Sequence, residues 1–217
     1  MRFLITAGPT REPIDPVRYV SNRSSGKMGY AIAEAAIEAG HEVVLISGPV
    51  DVDRPRGVAV ISVSTSDEMF AAVHQHTSRC DILVMCAAVA DYRPAKVSKS
   101  KIKKRGENIS LELVPTHDIL ASLPKDRQYL VVGFAAETEN LEANARKKLQ
   151  EKNCDIVVAN DVSRAESGME SDENEVTILF RDGEMKNISR ALKTIVAREL
   201  IKIFENVCEK RLTKKIA

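Results

Sequence analysis

The sequence predicts an α/β fold, a Rossmann-like three-layer arrangement. A mainly parallel sheet lies between helices and carries a C-terminal antiparallel hairpin at one edge. Three observations carry this prediction. Short apolar runs alternate with helical stretches through the first two thirds of the chain, the pattern of βαβ units. The run over 81–88, Asp-Ile-Leu-Val-Met-Cys-Ala-Ala, is apolar without a break after its aspartate, as a strand buried on both faces must be. Near the C-terminus Asp182-Gly183 stands between two strand-like runs, a strong hairpin signal.

The elements follow in order. A first strand is predicted over 2–7 and ends at Gly8-Pro9. Pro13, Pro16, Asn22 and the serines make 10–24 a long loop. Met28, Ala31, Ile32, Ala35, Ala36 and Ala39 recur at helical spacing, and Gly40 stops that helix. Strands are predicted over 42–46 and 58–63. Thr65-Ser66-Asp67-Glu68 opens a second helix, whose apolar stripe is Met69, Ala72 and Val73. After the buried run at 81–88 come five lysines between Lys96 and Lys104 with no apolar period, a solvated and mobile loop. A short strand over 111–114 and apolar runs over 129–134 and 155–159 follow, with a charged amphipathic helix over 141–152 between the last two. The hairpin strands are 175–180 and 185–188, and a final helix covers 189–207.

These elements make one domain over 1–209, with a lid loop at about 92–110 and a solvated basic tail over 210–217. Hydrophobic residues make up 44%, too many for a disordered chain. No apolar run reaches the roughly 18 residues that suggest a membrane span. The first apolar run is too short for a signal peptide, so a cytoplasmic protein with no membrane partner is expected. Lys plus Arg is 32 against 31 for Asp plus Glu, a balance that argues against a nucleic-acid binder. Cys80, Cys86, Cys154 and Cys208 form no C-x-x-C pair and read as reduced thiols. The four histidines show no metal-ligand spacing.

Open parallel sheets bind ligands beyond the carboxyl ends of their strands. The candidate segments are therefore 8–26, 47–50, 87–91, 134–137 and 160–161. Ser24-Ser25-Gly26-Lys27-Met28-Gly29 opens the first helix, and backbone N–H groups there suit a phosphate. It is not a P-loop, since Met28 follows Lys27, and G-x-G-x-x-G is absent. The acidic partner of a dinucleotide site is missing too, because Ser47-Gly48-Pro49 ends the second strand. A plain helix cap with packing glycines explains the same residues. Asp91 can hold Mg²⁺ on phosphates, or can simply pair with Arg93. Lys101-Ile102-Lys103-Lys104 is either a solvated run or a cationic lid. Lys148 and Lys152 share a helix face that is solvated or faces an anion. Asn22 by spacing alone is a turn residue.

Together these motifs are far more specific. Ile5-Thr6-Ala7-Gly8-Pro9-Thr10-Arg11-Glu12-Pro13, Asp15-Pro16-Val17-Arg18-Tyr19-Val20-Ser21-Asn22 and Ser24-Ser25-Gly26-Lys27-Met28-Gly29 resemble phosphopantothenoylcysteine synthetase of bacterial coenzyme A biosynthesis. The likeness continues through Ala87-Ala88-Val89-Ala90-Asp91-Tyr92-Arg93, Lys101-Ile102-Lys103-Lys104, Val132-Gly133-Phe134-Ala135-Ala136-Glu137-Thr138 and Ala159-Asn160-Asp161-Val162, and covers 2–205. The resemblance implies a ligase that joins 4′-phosphopantothenate to L-cysteine using CTP through an acyl-cytidylate, with Mg²⁺. It implies that Asn22 holds the acyl intermediate and Lys101 is the lid lysine over the triphosphate. Nucleotide-binding positions would be Gly8, Ser24, Ser25, Gly26, Met85, Cys86, Ala87, Asp91, His117, Asp118, Ile119, Leu120, Phe134, Lys148 and Lys152. Ala87 and Ala88, with Asn22, would meet the acyl substrate, and Asp91 the metal. His117 departs from the proline expected there. The family is dimeric, and in many bacteria this ligase is fused to a flavin-dependent decarboxylase. This chain carries no such half, so neither flavin nor decarboxylation is expected. Eukaryotic relatives can use ATP; the lysine motif resembles the bacterial form and so implies CTP. Two other readings are a nucleotide-linked oxidoreductase on the same sheet and a non-catalytic nucleotide-binding module.

Overall fold

The structure is a computed structural model that describes residues 1–104, 106, 108–163 and 170–216. At its centre are β1 (Arg2–Ala7), β4 (Glu42–Ser47), β5 (Ala59–Ser62), β6 (Ile82–Met85), β9 (Leu130–Glu137) and β10 (Ile156–Asp161). They run parallel in the order β5-β4-β1-β6-β9-β10. This is the doubly wound order, with its switch point between β1 and β6. The hairpin β11 (Glu173–Phe180) and β12 (Met185–Leu192) adds two antiparallel strands beside β10. The predicted fold class is therefore the one observed.

Alternation along each strand sorts the core into two layers. Phe3 and Ile5 of β1, Ile82 and Val84 of β6, and Ile156 and Val158 of β10 meet α1 (Lys27–Glu38) and α4 (Lys193–Ile216). Leu4, Leu83 and Val157 face the other way, toward α2 (Ser66–His76) and α3 (Leu141–Glu151). Because both faces of these strands are covered, their sequences run apolar without alternation. Helix α2 opens at Thr65 as predicted, and there forms a capping box: the Glu68 N–H donates to Thr65 Oγ1 at 3.2 Å and the Thr65 N–H to Glu68 Oε2 at 3.4 Å. No helix among the described residues is long and apolar enough to cross a membrane.

Four readings need correction. Residues 10–24 are not all loop: β2 (Arg11–Pro13) pairs antiparallel with β3 (Tyr19–Ser21). The strand read over 111–114 is β8 (Leu113–Pro115), and it pairs with an unread strand, β7 (Tyr92–Pro94). In the run at 81–88 the strand ends at Met85, and Ala88 keeps only an isolated parallel bridge to Pro9. The hairpin strand β12 continues to Leu192, so the last helix starts at Lys193 and runs through the segment read as a tail to Ile216. Lysine and arginine are good helix formers, and Arg211 anchors this end on Asp155 Oδ2 at 3.2 Å and on the carbonyls of Tyr129 and Arg127. Of the predicted lid and tail, residues 105, 107 and 217 lie outside the described residues.

Helix α1 lies tight against β1. A Cβ on Gly29 would stand 2.6 Å from Ala7 Cβ and 3.1 Å from Thr6 O. Gly29→Ala is expected to lower stability by about 1–3 kcal/mol, the usual range for overpacking. The measurement is a fall in the urea midpoint at unchanged slope. An unchanged midpoint would mean that α1 can retreat from β1 freely.

Candidate active site

A cleft of about 690 Å³ opens where β6, β9 and β10 end and α1 begins. Its wall takes in Asn22, Ser24, Ser25 and Gly26 from the approach to α1, and 85–91 from the end of β6. Residues 115–120, Phe134 of β9, Lys148 and Lys152 of the α3 segment, and Asn160 of β10 complete the far side.

The start of α1 offers bare backbone donors. Gly26 caps it in a left-handed conformation (φ 78°) with no side-chain cap, and no acid occupies the first turn. Gly8, at the tip of β1, is also left-handed (φ 75°). A Cβ on Gly26 would lie 3.4 Å from the Gly8 Cα. Gly8, Gly26 and Gly29 thus reproduce in space the turn, the close approach and the helix-packing glycine of the dinucleotide fingerprint. The whole of 9–25 is inserted between the first two, which hides the motif from linear spacing. The readable trace is a strand-ending glycine followed later by Gly-x-x-Gly at a helix start.

The nucleoside side of a dinucleotide site is closed. Val50 Cγ1 sits 2.5 Å from where a Gly26 Cβ would be and 2.7 Å from that of Gly8. A Cβ on Gly48 would meet Pro9 O at 1.9 Å. Packing on the β4 side therefore leaves the open space on the β6–β9–β10 side.

There the backbone is held from below by buried hydroxyls. The Ala87 N–H donates to Thr6 Oγ1 at 3.1 Å and the Ala90 N–H to Thr10 Oγ1 at 3.0 Å. Both threonines are fully buried. The Ala88 N–H donates to Gly8 O at 2.9 Å, and Asn22 Nδ2 donates to Ala88 O at 3.0 Å. Cys86 lies on the wall, and burial pushes its thiol up to about 12, so it is no nucleophile at neutral pH.

On the α3 side Lys148 and Lys152 both face the cleft rather than open solvent. Lys148 donates to the carbonyl of Phe134, and burial holds its ammonium below the usual lysine range. Lys152 bonds the Asp118 carboxylate, which holds its own ammonium above that range. His117 contacts Asp67 Oδ1 through Nδ1 at 3.1 Å, and its ring lies tilted against that of Phe70. Arg93 reaches Asp67 at 3.9 Å, so the ion pair weighed between Arg93 and Asp91 is not formed. Asp91 stays exposed on the wall. Among the described residues no three His, Cys, Asp or Glu side chains are gathered to hold a metal. One exposed carboxylate fits Mg²⁺ only when phosphates supply further ligands.

The lysine loop is tied down. Ile102 N–H donates to Asp15 Oδ2 at 3.0 Å, and Arg18 Nη2 donates to Ile102 O at 2.8 Å. Asp15 is buried in its own turn, where it also takes the backbone N–H groups of Val17 and Arg18. Lys101 is exposed and is not on the cleft wall, and neither is Gly8. The other predicted positions all are. The wall also holds residues not read as site residues, among them Lys27, Asn174 and Lys193. The last two arrive from the C-terminal hairpin and α4, and no local pattern marks them.

The family described as DNA/pantothenate metabolism flavoprotein C-terminal domain matches residues 1–207. The chain belongs to this family. It is 48% identical over 200 residues to the coenzyme A biosynthesis bifunctional protein CoaBC of Bacillus subtilis, covering 91% of this chain and 49% of that protein. The chain thus spans about half the length of that relative. Of solved structures, the C-terminal domain of a CoaBC protein superposes with a TM-score of 0.82 at 45% identity, covering 96% of each chain. Cab2, solved with phosphopantothenate-cysteine, shares the fold alone at 15% identity, with a TM-score of 0.81 over 100% of this chain and 89% of that one.

Within this family fold Asp15 joins the β2–β3 turn to the lysine loop. Its bond from Arg18 outweighs burial and holds the carboxyl well below the usual carboxylate range. A depressed carboxyl stabilises the fold above its unfolded pKa of about 3.9, and that contribution fades as the pH falls toward the folded value. Asp15→Asn is therefore expected to be less stable than the parent at pH 7. The gap in urea midpoints should narrow steadily below about pH 4. A gap that stays constant with pH would remove Asp15 from the acid limb.

Proposed function

We propose that the chain is a phosphopantothenate–cysteine ligase that uses CTP and Mg²⁺ and works as a homodimer. The observation that carries this is the cleft itself. One end offers uncapped helix donors for phosphates, the other Lys148 and Lys152, and burial keeps the Cys86 thiol on the wall protonated. Such a site suits transfer between two bound substrates by positioning and charge stabilisation. Family membership and the coenzyme A biosynthesis names of the relatives point to the same chemistry.

In the first step the carboxylate oxygen of 4′-phosphopantothenate attacks the α-phosphorus of CTP. The bond from that phosphorus to the bridging oxygen breaks, and pyrophosphate leaves with the electron pair. In the second step the amine of L-cysteine attacks the acyl carbon and loses a proton, while the acyl–oxygen bond breaks and CMP leaves. The N–H groups of 24–26 would hold phosphate oxygens, and residues 117–120 with Phe134 would flank the nucleoside. Asp91 would hold Mg²⁺, which when bound neutralises charge on the triphosphate. Asn22, fixed by its bond to Ala88 O, would hold the acyl group beside Ala87 and Ala88. Lys101 would serve as the lid lysine, reaching the triphosphate from the loop now anchored at Asp15.

The dimer reading rests on the two small ribbons. Val17, Tyr19, Tyr92, Val97 and Leu113 are all more than two fifths exposed and belong to the β2–β3 and β7–β8 arms, which touch each other. Apolar arms of this kind suit a second copy of the chain. The CoaBC relatives are bifunctional by name and twice as long, so we also propose a flavin-dependent decarboxylase as fusion or functional partner. The oxidoreductase reading loses its nucleoside space to Val50 and Pro9.

The test is pyrophosphate release with CTP, Mg²⁺ and 4′-phosphopantothenate. A stoichiometric burst without cysteine and steady turnover with it are expected. CTP binding without any release would instead mark a non-catalytic module. Asn22→Ala should keep the burst but lose most of the cysteine-dependent turnover, by about 10²-fold or more. Product formation at the parent rate would end the role given to Asn22.

A further inference from the structure

Lys27 opens α1 and Lys193 opens α4, and both stand on the cleft wall. Neither helix carries an acidic residue in its first turn. A cation at a helix start is set against the helix dipole, and here two such starts point at one space. Lys193 is only 6% exposed. Burial pushes its ammonium below the usual lysine range, and the charge of Lys27 pushes the same way. On the Lys27 side, Asp172 Oδ1 takes Lys27 Nζ at 2.6 Å, with Glu170 O at 3.1 Å. The Asp172 side chain is itself 77% exposed. Lys193 donates to Ser171 O through Nζ and to Asp172 O through its backbone. Segment 170–172 is thus strapped across two lysines by contacts that an incoming anion can exchange.

We infer that Lys27 and Lys193 are positioning residues that seat the terminal phosphates of the nucleotide and the pyrophosphate released from them. Asp172 is the internal counter-ion that those phosphates displace from Lys27. The inference rests on the nucleotide reading of the cleft and says which end takes the triphosphate. The sheet separates the two cationic ends. Lys27 and Lys193 belong to the α1–α4 layer, and Lys148 and Lys152 to the α3 layer. A nucleotide lying across the sheet edge would place its phosphates on the first and its nucleoside on the second. Asn174, buried on β11 with Nδ2 3.7 Å from Met28 Sδ, packs the hairpin against α1 and so holds the two lysines in one wall.

The experiment is calorimetric titration of the full chain with sodium pyrophosphate, CTP and CMP. Lys27→Gln and Lys193→Gln should each weaken pyrophosphate and CTP roughly tenfold or more, the worth of one charge-assisted hydrogen bond. CMP should change by less than about twofold. Asp172→Asn should tighten pyrophosphate several-fold, a direction that mere loss of structure would not produce. Lys27→Gln serves alone if removing the buried Lys193 prevents folding, since Lys27 is the more exposed of the two. Equal weakening of CTP and CMP, unchanged pyrophosphate affinity, or weaker pyrophosphate binding by Asp172→Asn would each overturn the inference. Pyrophosphate binding that depends on both lysines, with CTP no tighter than pyrophosphate, would leave the seat standing and overturn the nucleotide reading instead.

Discussion

The contact between α1 and β1 leaves no room for a side chain, and the site depends on that. Gly29 lies against Ala7, and Gly26 against Gly8. With these four residues in contact, the first turn of α1 is pinned to the end of the central strand. That turn, with no side-chain cap, then stands on the cleft wall. The same closeness lets Val50 fill the opposite side and fixes where a ligand cannot lie. A larger residue at Gly29 would push α1 outward, and with it the approach segment 22–26 and Lys27.

The second support is polar and buried. Thr6 and Thr10 spend their hydroxyls on the backbone N–H groups of Ala87 and Ala90, beyond the last ladder bond of β6. Without Thr10 the Ala90 N–H would be buried and unpaired, which costs about 1–3 kcal/mol. The reward is a stretch of chain that leaves the sheet yet keeps a fixed shape. Asn22 and Ala88 then join the two strand-end segments flanking the switch point. A rigid sheet thus presents irregular backbone to the ligand, the usual division of labour between scaffold and loop.

How much of this could be read from the sequence followed the range of the interaction. The parallel strands, α1 to α3 and the hairpin were legible because burial on two faces and the 3.6-residue period leave local marks. The ends of elements were less so. Strand β6 stops at Met85 although Cys86, Ala87 and Ala88 are just as apolar, because Thr6 Oγ1, Gly8 O and Thr10 Oγ1 take the backbone N–H groups of Ala87, Ala88 and Ala90. The motif-rich segments 22–29, 85–91 and 117–120 all reached the cleft. Lys27 was read only as part of a phosphate motif. Lys193 was unreadable as a site residue, since nothing within its own helix distinguishes it from a surface lysine. Only the path of β11 and β12 back across α1 brings it there.

That path also explains how a dinucleotide-type sheet comes to hold its ligand elsewhere. The strand order and the glycine triple are those of the doubly wound fold, yet the open space runs from α1 toward β10 and not toward β4. Two local choices turn it round. Packing of Val50 and Pro9 closes the first half of the sheet. The added hairpin then supplies Asn174 and leads into Lys193, which builds a cationic wall on the second half. The fold therefore decides only that a phosphate can be met at the start of α1. Side chains brought in at the far edge of the sheet decide what the rest of the molecule attached to that phosphate can be.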